Sequence, residues 1–275
     1  MENFQINPSA DFVGAEIQGV DLSQSLSEAL IEKLKEALYK YGVIFFRDQK
    51  LSPEDHVRLA EQFGEIEINR FFKPVDNHPQ IAEVRKEPHQ KVNIGSRWHS
   101  DHSYDTAPAM GSILYAVEVP PFGGDTVFSS MYAAFEHLSD GLKVMLENLN
   151  AWHTSSGFAA PATKEIGDRL GGQDRVTPDV LQPVVIQHPV TGQKALYVNE
   201  TFTIGFENWT VEESKPLLDY LFRFAVQPAF CYRFSWKPGS LAFWDNRAVQ
   251  HLAINDYHGH RRVMHRITLK GVPLS

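Results

Sequence analysis

Hydrophobic positions along the chain fall into two periods. From Ser27 to Gly42, Leu30, Ile31, Leu34, Ala37, Leu38 and Tyr41 recur at three- and four-residue spacing, which predicts an amphipathic helix capped by Ser25 or Ser27 and stopped by Gly42. Val43-Ile44-Phe45-Phe46 follows as a short, wholly apolar run, the pattern of a buried strand. Ser52-Pro53-Glu54-Asp55 opens a second helix that runs through Leu59, Ala60 and Phe63 to Gly64. Before these, residues 4–23 read as an N-terminal strand and turn. After them, residues 65–97 read as irregular, with Pro74, Pro79 and Pro88 breaking any period.

The second half is dominated by extended patterns. Gly111–Val117 and Thr126–Ser129 read as strands, joined through Pro120-Pro121 and the tight turn Gly123-Gly124. Residues 131–149 regain a helical period. Strands are expected at Val184–Gln187, Ala195–Asn199, Ala229–Trp236, Ser240–Trp244, Val249–Ala253 and Val263–Lys270. A helix over 210–226 is opened by Thr210 and Glu213 at capping-box spacing. Residues 154–180, rich in Gly, Pro, Ser, Thr and charge, form a long insertion, and such insertions in a compact domain are usually functional. They are expected to act as a lid, with a disordered surface loop as the alternative. Many short strands with a few flanking helices predict a mostly β protein built on a double-stranded β-helix, or jelly-roll, core. No repeat, low-complexity tract or linker divides the chain, so residues 1–275 are expected to form a single domain.

Composition narrows the function classes. A net charge of −8 argues against nucleic acid as a partner, because such proteins carry a basic stripe. Cys231 is the lone cysteine, which excludes an internal disulfide framework and suits a reducing compartment. The N-terminal stretch lacks the charged and apolar regions of a signal peptide, and no apolar run reaches membrane-spanning length. A cytoplasmic protein with no membrane partner is expected, in a form compatible with a homo-oligomer.

The candidate chemistry centres on Trp98-His99-Ser100-Asp101. On an extended strand His99 and Asp101 point to one face. With one more histidine they make the 2-His-1-carboxylate set that holds non-haem Fe(II) and leaves coordination positions open. His251, beginning an apolar stretch after a strand and turn, is the best third ligand. Arg262 and Arg266 lie four apart, on one face of a strand with Met264 between them, and two interior cations need anionic partners. A surface hydrogen-bonded pair at His99/Asp101 and a basic tail at 261–266 are the alternatives from residues alone. Zinc is a further one for this ligand set.

His99-x-Asp101, Thr126 in GGDT, WDNRAVQH ending at His251, and Arg262 and Arg266 in RRVMHR together resemble the taurine/2-oxoglutarate dioxygenase family, which includes aryloxyalkanoate and alkyl sulfate members. GAEIQGVDL near the start and HPVTGQKALYVNE extend the resemblance over nearly the whole chain. It implies that His99, Asp101 and His251 bind Fe(II). It implies that Arg262 and Thr126 bind the distal carboxylate of the cosubstrate 2-oxoglutarate, and that O2 is consumed as 2-oxoglutarate goes to succinate and CO2. Arg266 matches the arginine that grips the substrate anion, and Phe202 a pocket aromatic. Tyr104, Phe158, Phe72 and Phe206 are expected neighbours. The taurine enzymes carry a histidine near position 70 and an asparagine near 95, where this chain has Arg70 and Gly95. Arg70 is expected to supply a second substrate-binding cation, with a solvated loop arginine as the alternative. The substrate is then a small organic anion, foremost a sulfonate such as taurine or another alkanesulfonate, with an aryloxyalkanoate, alkyl sulfate or small carboxylate as alternative. A jelly-roll binding protein without catalysis is the alternative from another class.

Overall fold

In the computed structural model of the chain the described residues are 4–156, 164–170 and 177–275. Two sheets, antiparallel but for one strand pair, face each other. The larger runs in the order Gln5–Pro8, Ala15–Gln18, Val43–Phe46, Leu241–Asp245, Gly111–Glu118, Arg262–Leu269, His78–Lys86, Pro74–Val75, with Ile66–Glu67 also pairing Arg262–Leu269. Ala15–Gln18 and Val43–Phe46 pair in parallel. The smaller sheet is Cys231–Phe234, Thr126–Ser130, Val249–Ala253.

The apolar runs of the central strands have a physical reason: those strands are covered on both faces. Phe45, Leu114, Ala242, Trp244 and Met264 point toward the smaller sheet and pack against its Phe128, Phe234 and Val249. Their chain neighbours Ile44, Phe46, Ile113, Leu241, Phe243 and Ile267 point the other way, onto Leu30, Ile31, Leu34 and Leu38 of helix Glu28–Tyr41 and Leu59 and Ala60 of helix Pro53–Glu61. Each such fully buried side chain contributes about 1.5–3 kcal/mol. The helix starts are set locally. Ser27 accepts from the Leu30 N–H, and Ser52 and Asp55 form a reciprocal capping box behind Pro53. A satellite core joins helix Val211–Ala225 and Met131–Glu136 to the hairpin Val185–Gln187/Lys194–Leu196. Beside it lies a small sheet of Val180–Pro183, Asn150–His153 and Thr203–Phe206.

Three expectations are corrected. Residues 65–97 are not irregular throughout, since His78–Lys86 is a nine-residue strand of the larger sheet. Its period is obscured because Pro79 and charged residues sit on it, and pairing with Arg262–Arg266 decides its state. The helical stretch 131–149 is two short helices, Met131–Glu136 and Asp140–Leu146, the second restarted by the Ser139 cap. The His99–Asp101 stretch is not a continuous strand: His99 makes one bridge to His251, and a turn begins at Asp101.

Candidate active site

His99, Asp101 and His251 converge at the open edge of the smaller sheet. The backbone N–H of His99 donates to the His251 carbonyl at 3.1 Å and that of His251 to the His99 carbonyl at 2.8 Å, which sets the two rings 4.1 Å apart. The turn then brings Asp101 alongside. Its Oδ1 lies 3.7 Å from His99 Nε2 and its Oδ2 4.0 Å from His251 Nε2. One nitrogen or oxygen from each residue lies within 4.8 Å of the others.

The protonation states suit a cation. Burial holds the His99 imidazole below its ordinary value, and burial together with the neighbouring His99 pushes His251 down to about 3. Burial acts to raise Asp101, but the attraction of Arg266, then of His251 and His99, outweighs it and holds the carboxyl well below the usual range. Two neutral imidazoles and an ionised carboxylate are what metal ligation requires. His99 Nδ1 donates to the Arg97 carbonyl at 2.8 Å, which fixes the tautomer and turns Nε2 toward Asp101. The His251 ring is held by Trp244, at 4.7 Å between ring centres.

The cavity beside these residues is also lined by Thr126, Arg262, Arg266, Tyr104, Phe202 and Phe72, so most of the residues singled out in the sequence meet in one place. Arg262 is buried, and its Nε and Nη2 have no hydrogen-bond partner among the described residues. Burial pushes this guanidinium down. Asp125, an acidic group whose charge reaches Arg262, is itself bonded by Arg233 at 2.6 Å. The Gly123-Gly124 turn lets the chain pass close by: Gly124 has φ +68°, and a Cβ there would stand 3.3 Å from Arg262 Cδ. Thr126 Oγ1 accepts from Trp236 Nε1 at 3.0 Å, which directs its own proton elsewhere. Arg266 Nη1 donates to Asp101 Oδ1 at 3.2 Å, and its guanidinium lies over the Phe72 ring.

Other sequence expectations do not converge. Arg70 is outside the cavity wall. Its Nη2 is bound to Asp105 Oδ1 at 2.5 Å and its guanidinium is flanked by Phe71 and Tyr104, so an ion pair takes the charge offered for substrate. Asp105 also holds His102 Nδ1 at 2.9 Å. Phe206 packs in the satellite core against Trp209. Phe158 lies outside the described residues. Sequence reasoning missed Phe71 and Ile94, which line the cavity, because single apolar residues in loops carry no period. It also missed Asn246, whose Oδ1 accepts both the Asp101 N–H at 3.3 Å and Trp244 Nε1 at 2.9 Å, although its place inside WDNRAVQH could have flagged it.

The HPVTGQ and WDNR stretches meet in the interior. His188 Nδ1 accepts from the Thr191 N–H, and its Nε2 donates to Asp245 Oδ2 at 3.0 Å. Arg247 binds the same carboxylate through Nε and Nη2 at 2.8 and 2.6 Å. This network fixes the turn that delivers His251.

Comparison with known proteins agrees with the geometry. The chain is 31% identical over 272 residues to an alpha-ketoglutarate-dependent sulfate ester dioxygenase of Pseudomonas putida, covering 97% of this chain and 89% of that one. It is 31% identical to a (S)-phenoxypropionate/alpha-ketoglutarate-dioxygenase of Sphingobium herbicidovorans, covering 99% and 96%. The crystal structure of a taurine dioxygenase from Burkholderia xenovorans superposes with a TM-score of 0.82 at 35% identity, covering 98% and 91%. The model of the taurine catabolism dioxygenase TauD, TfdA family matches residues 5–268. With nearly the whole chain aligned and the His-Asp-His cluster in place, the protein belongs to the taurine catabolism dioxygenase TauD, TfdA family and is a 2-oxoglutarate-dependent dioxygenase.

Proposed function

We propose that His99, Asp101 and His251 hold Fe(II), that Arg262 and Thr126 hold the distal carboxylate of 2-oxoglutarate, and that Arg266 faces the anionic group of a small organic substrate. The observation that carries this reading is the Arg262 guanidinium, buried beside the His-Asp-His cluster with two nitrogens unpartnered among the described residues. A buried charge of that kind needs an anion, and a planar carboxylate fits its fork. Fe(II), when bound, supplies the activation of O2 that couples decarboxylation of 2-oxoglutarate to hydroxylation of the substrate. The chain's own residues orient and shield. Arg266 and Arg262 set the two anions at separate places, and Phe72, Tyr104 and Phe202 keep water from the space between.

The substrate favoured first is a sulfonate. Hydroxylation at the carbon bearing sulfur gives an adduct that collapses to an aldehyde and sulfite, beside succinate and CO2. A second reading, an alkyl sulfate or aryloxyalkanoate, is favoured by the apolar wall of Phe71, Phe72, Ile94, Tyr104 and Phe202, which suits a carbon-rich body. Gly95 supports it too. It has φ +82°, and a Cβ there would stand 3.3 Å from His99 Cε1, so the absence of a side chain leaves room over the cluster.

The two facing sheets support a double-stranded β-helix core in one domain over 1–275. The described part of the 154–180 region supports its role as a lid. Leu170 bridges Phe72 on the cavity wall, and Arg169 donates to the carbonyls of Arg85 and Val92. Among the described residues no helix is long and apolar enough to cross a membrane. The lone Cys231 supports a cytoplasmic setting.

Succinate formation from 2-oxoglutarate tests the function, with taurine, longer alkanesulfonates, alkyl sulfates and phenoxyacetates as substrates. Sulfite, sulfate or phenol release identifies the class. Failure of every anion to raise succinate above background refutes catalysis of this kind and favours a binding protein.

A further inference from the structure

The strand Gly111–Glu118 crosses the centre of the larger sheet as Gly-Ser-Ile-Leu-Tyr-Ala-Val-Glu. Its chain neighbour Ile113 and its register partner Trp244 are apolar, and Ser112 is completely buried. A hydroxyl in such a place costs free energy unless it is hydrogen-bonded. Its bond runs to the cluster: Ser112 Oγ lies 3.0 Å from Asp101 Oδ2. The ionised carboxylate can only accept, so the serine donates.

We propose that Ser112 is a positioning residue for the metal centre, a role that rests on His99, Asp101 and His251 being the metal ligands. A carboxylate on one flexible bond rotates unless both of its oxygens are held. Here each oxygen has a side-chain donor, Ser112 on Oδ2 and Arg266 on Oδ1. The Asn246 side chain holds the backbone of the same residue through the Asp101 N–H. Of the two side-chain donors Ser112 is the neutral one, and it sits on a strand paired on both sides: its register partners are Trp244 and Thr268. It therefore fixes the plane of the carboxylate without competing with a cation for its charge. Arg266 is different, because it faces the substrate side of the cavity and attracts the same carboxylate as the metal. Without the Ser112 hydroxyl, Arg266 is the side-chain donor left on Asp101, and the carboxylate swings toward it and away from the two imidazoles. His99 already has its own orienting bond through Arg97, so the loss falls on the carboxylate ligand alone.

Mn(II) binding to the full-length protein, followed by electron paramagnetic resonance with and without 2-oxoglutarate, tests this without turnover. Loss of such an outer hydrogen bond to a ligand weakens metal binding by roughly 10–100-fold. Ser112→Ala is expected to bind Mn(II) within that range more weakly than the unaltered protein, while the metal-free variant keeps its melting temperature. His99→Ala serves as the variant that loses a ligand outright. Equal Mn(II) affinity in Ser112→Ala and the unaltered protein overturns the proposal. So does an affinity loss accompanied by a collapse of the metal-free melting transition, which would make the serine a packing residue. An unaltered protein that takes up no Mn(II) at all refutes the metal-centre reading itself, a result distinct from either.

Discussion

Arg262 offers the sharpest test, because one substitution acts in opposite directions on binding and on stability. Replacing it with methionine keeps a long unbranched side chain and removes the charge. Two guanidinium nitrogens, Nε and Nη2, stand unpartnered among the described residues. A hydrogen bond to a charged group contributes about 1.5–3 kcal/mol, so two to a carboxylate contribute about 3–6 kcal/mol. At 1.4 kcal/mol per factor of ten, KM for 2-oxoglutarate in Arg262→Met rises by roughly 10²–10⁴. In the ligand-free protein burial disfavours the same guanidinium, offset in part by the attraction of Tyr257 and Asp125 and by its place over the Trp236 ring at 5.8 Å. Removing it therefore leaves the ligand-free protein as stable as before, or raises its melting temperature by a few degrees, on the scale of about 2–4 °C per kcal/mol for a chain near this size. Succinate kinetics across 2-oxoglutarate concentrations and thermal melts with and without 2-oxoglutarate give both quantities. The unaltered protein gains melting temperature with 2-oxoglutarate and the variant does not. A KM within threefold of the unaltered value, or a ligand-free variant that melts far lower, refutes the assignment.

Three further outcomes are expected. Gly95→Asn, tolerated at φ +82° because asparagine adopts the left-handed region, fills the space over His99; KM for bulky aryl or long alkyl substrates rises about tenfold or more while KM for 2-oxoglutarate stays put, and equal substrate range in the two proteins sinks the idea. Asp245→Asn leaves the buried Arg247 with a neutral partner and loosens His188, so urea titration should give about 3–5 kcal/mol less stability, and a loss under 1 kcal/mol, on the order of an exposed pair, contradicts the network's role. Burial alone pushes His153 from 6.5 to about 3. Between those values the unfolded chain carries the extra proton, so this histidine's contribution to stability falls as pH drops below 6.5, by up to about 1.4 kcal/mol per pH unit; urea titrations from pH 7 to 4.5 should show a slope shallower by that amount in His153→Gln, and identical slopes rule it out.

Local chemistry determined much of this protein from sequence alone. The helices at Glu28–Tyr41, Pro53–Glu61 and Val211–Ala225 were legible because caps and apolar period are properties of neighbouring residues. The apolar runs Val43–Phe46 and Leu241–Trp244 marked strands covered on both faces. The His99, Asp101 and His251 cluster was legible because the order and spacing of whole motifs carried it. The tertiary structure decided what depends on distant partners. Pairing with Arg262–Arg266 made a strand of His78–Lys86 against its proline and charges. Asp105, close in space to Arg70, took that arginine out of the cavity wall. Ser112, a polar position within the strand Gly111–Glu118, meets Asp101 because the turn after His99 lays that carboxylate against it. A charge or hydroxyl acquires its role from the group it meets, and for Arg70, Arg262 and Ser112 that meeting is made by chain folding rather than by sequence proximity.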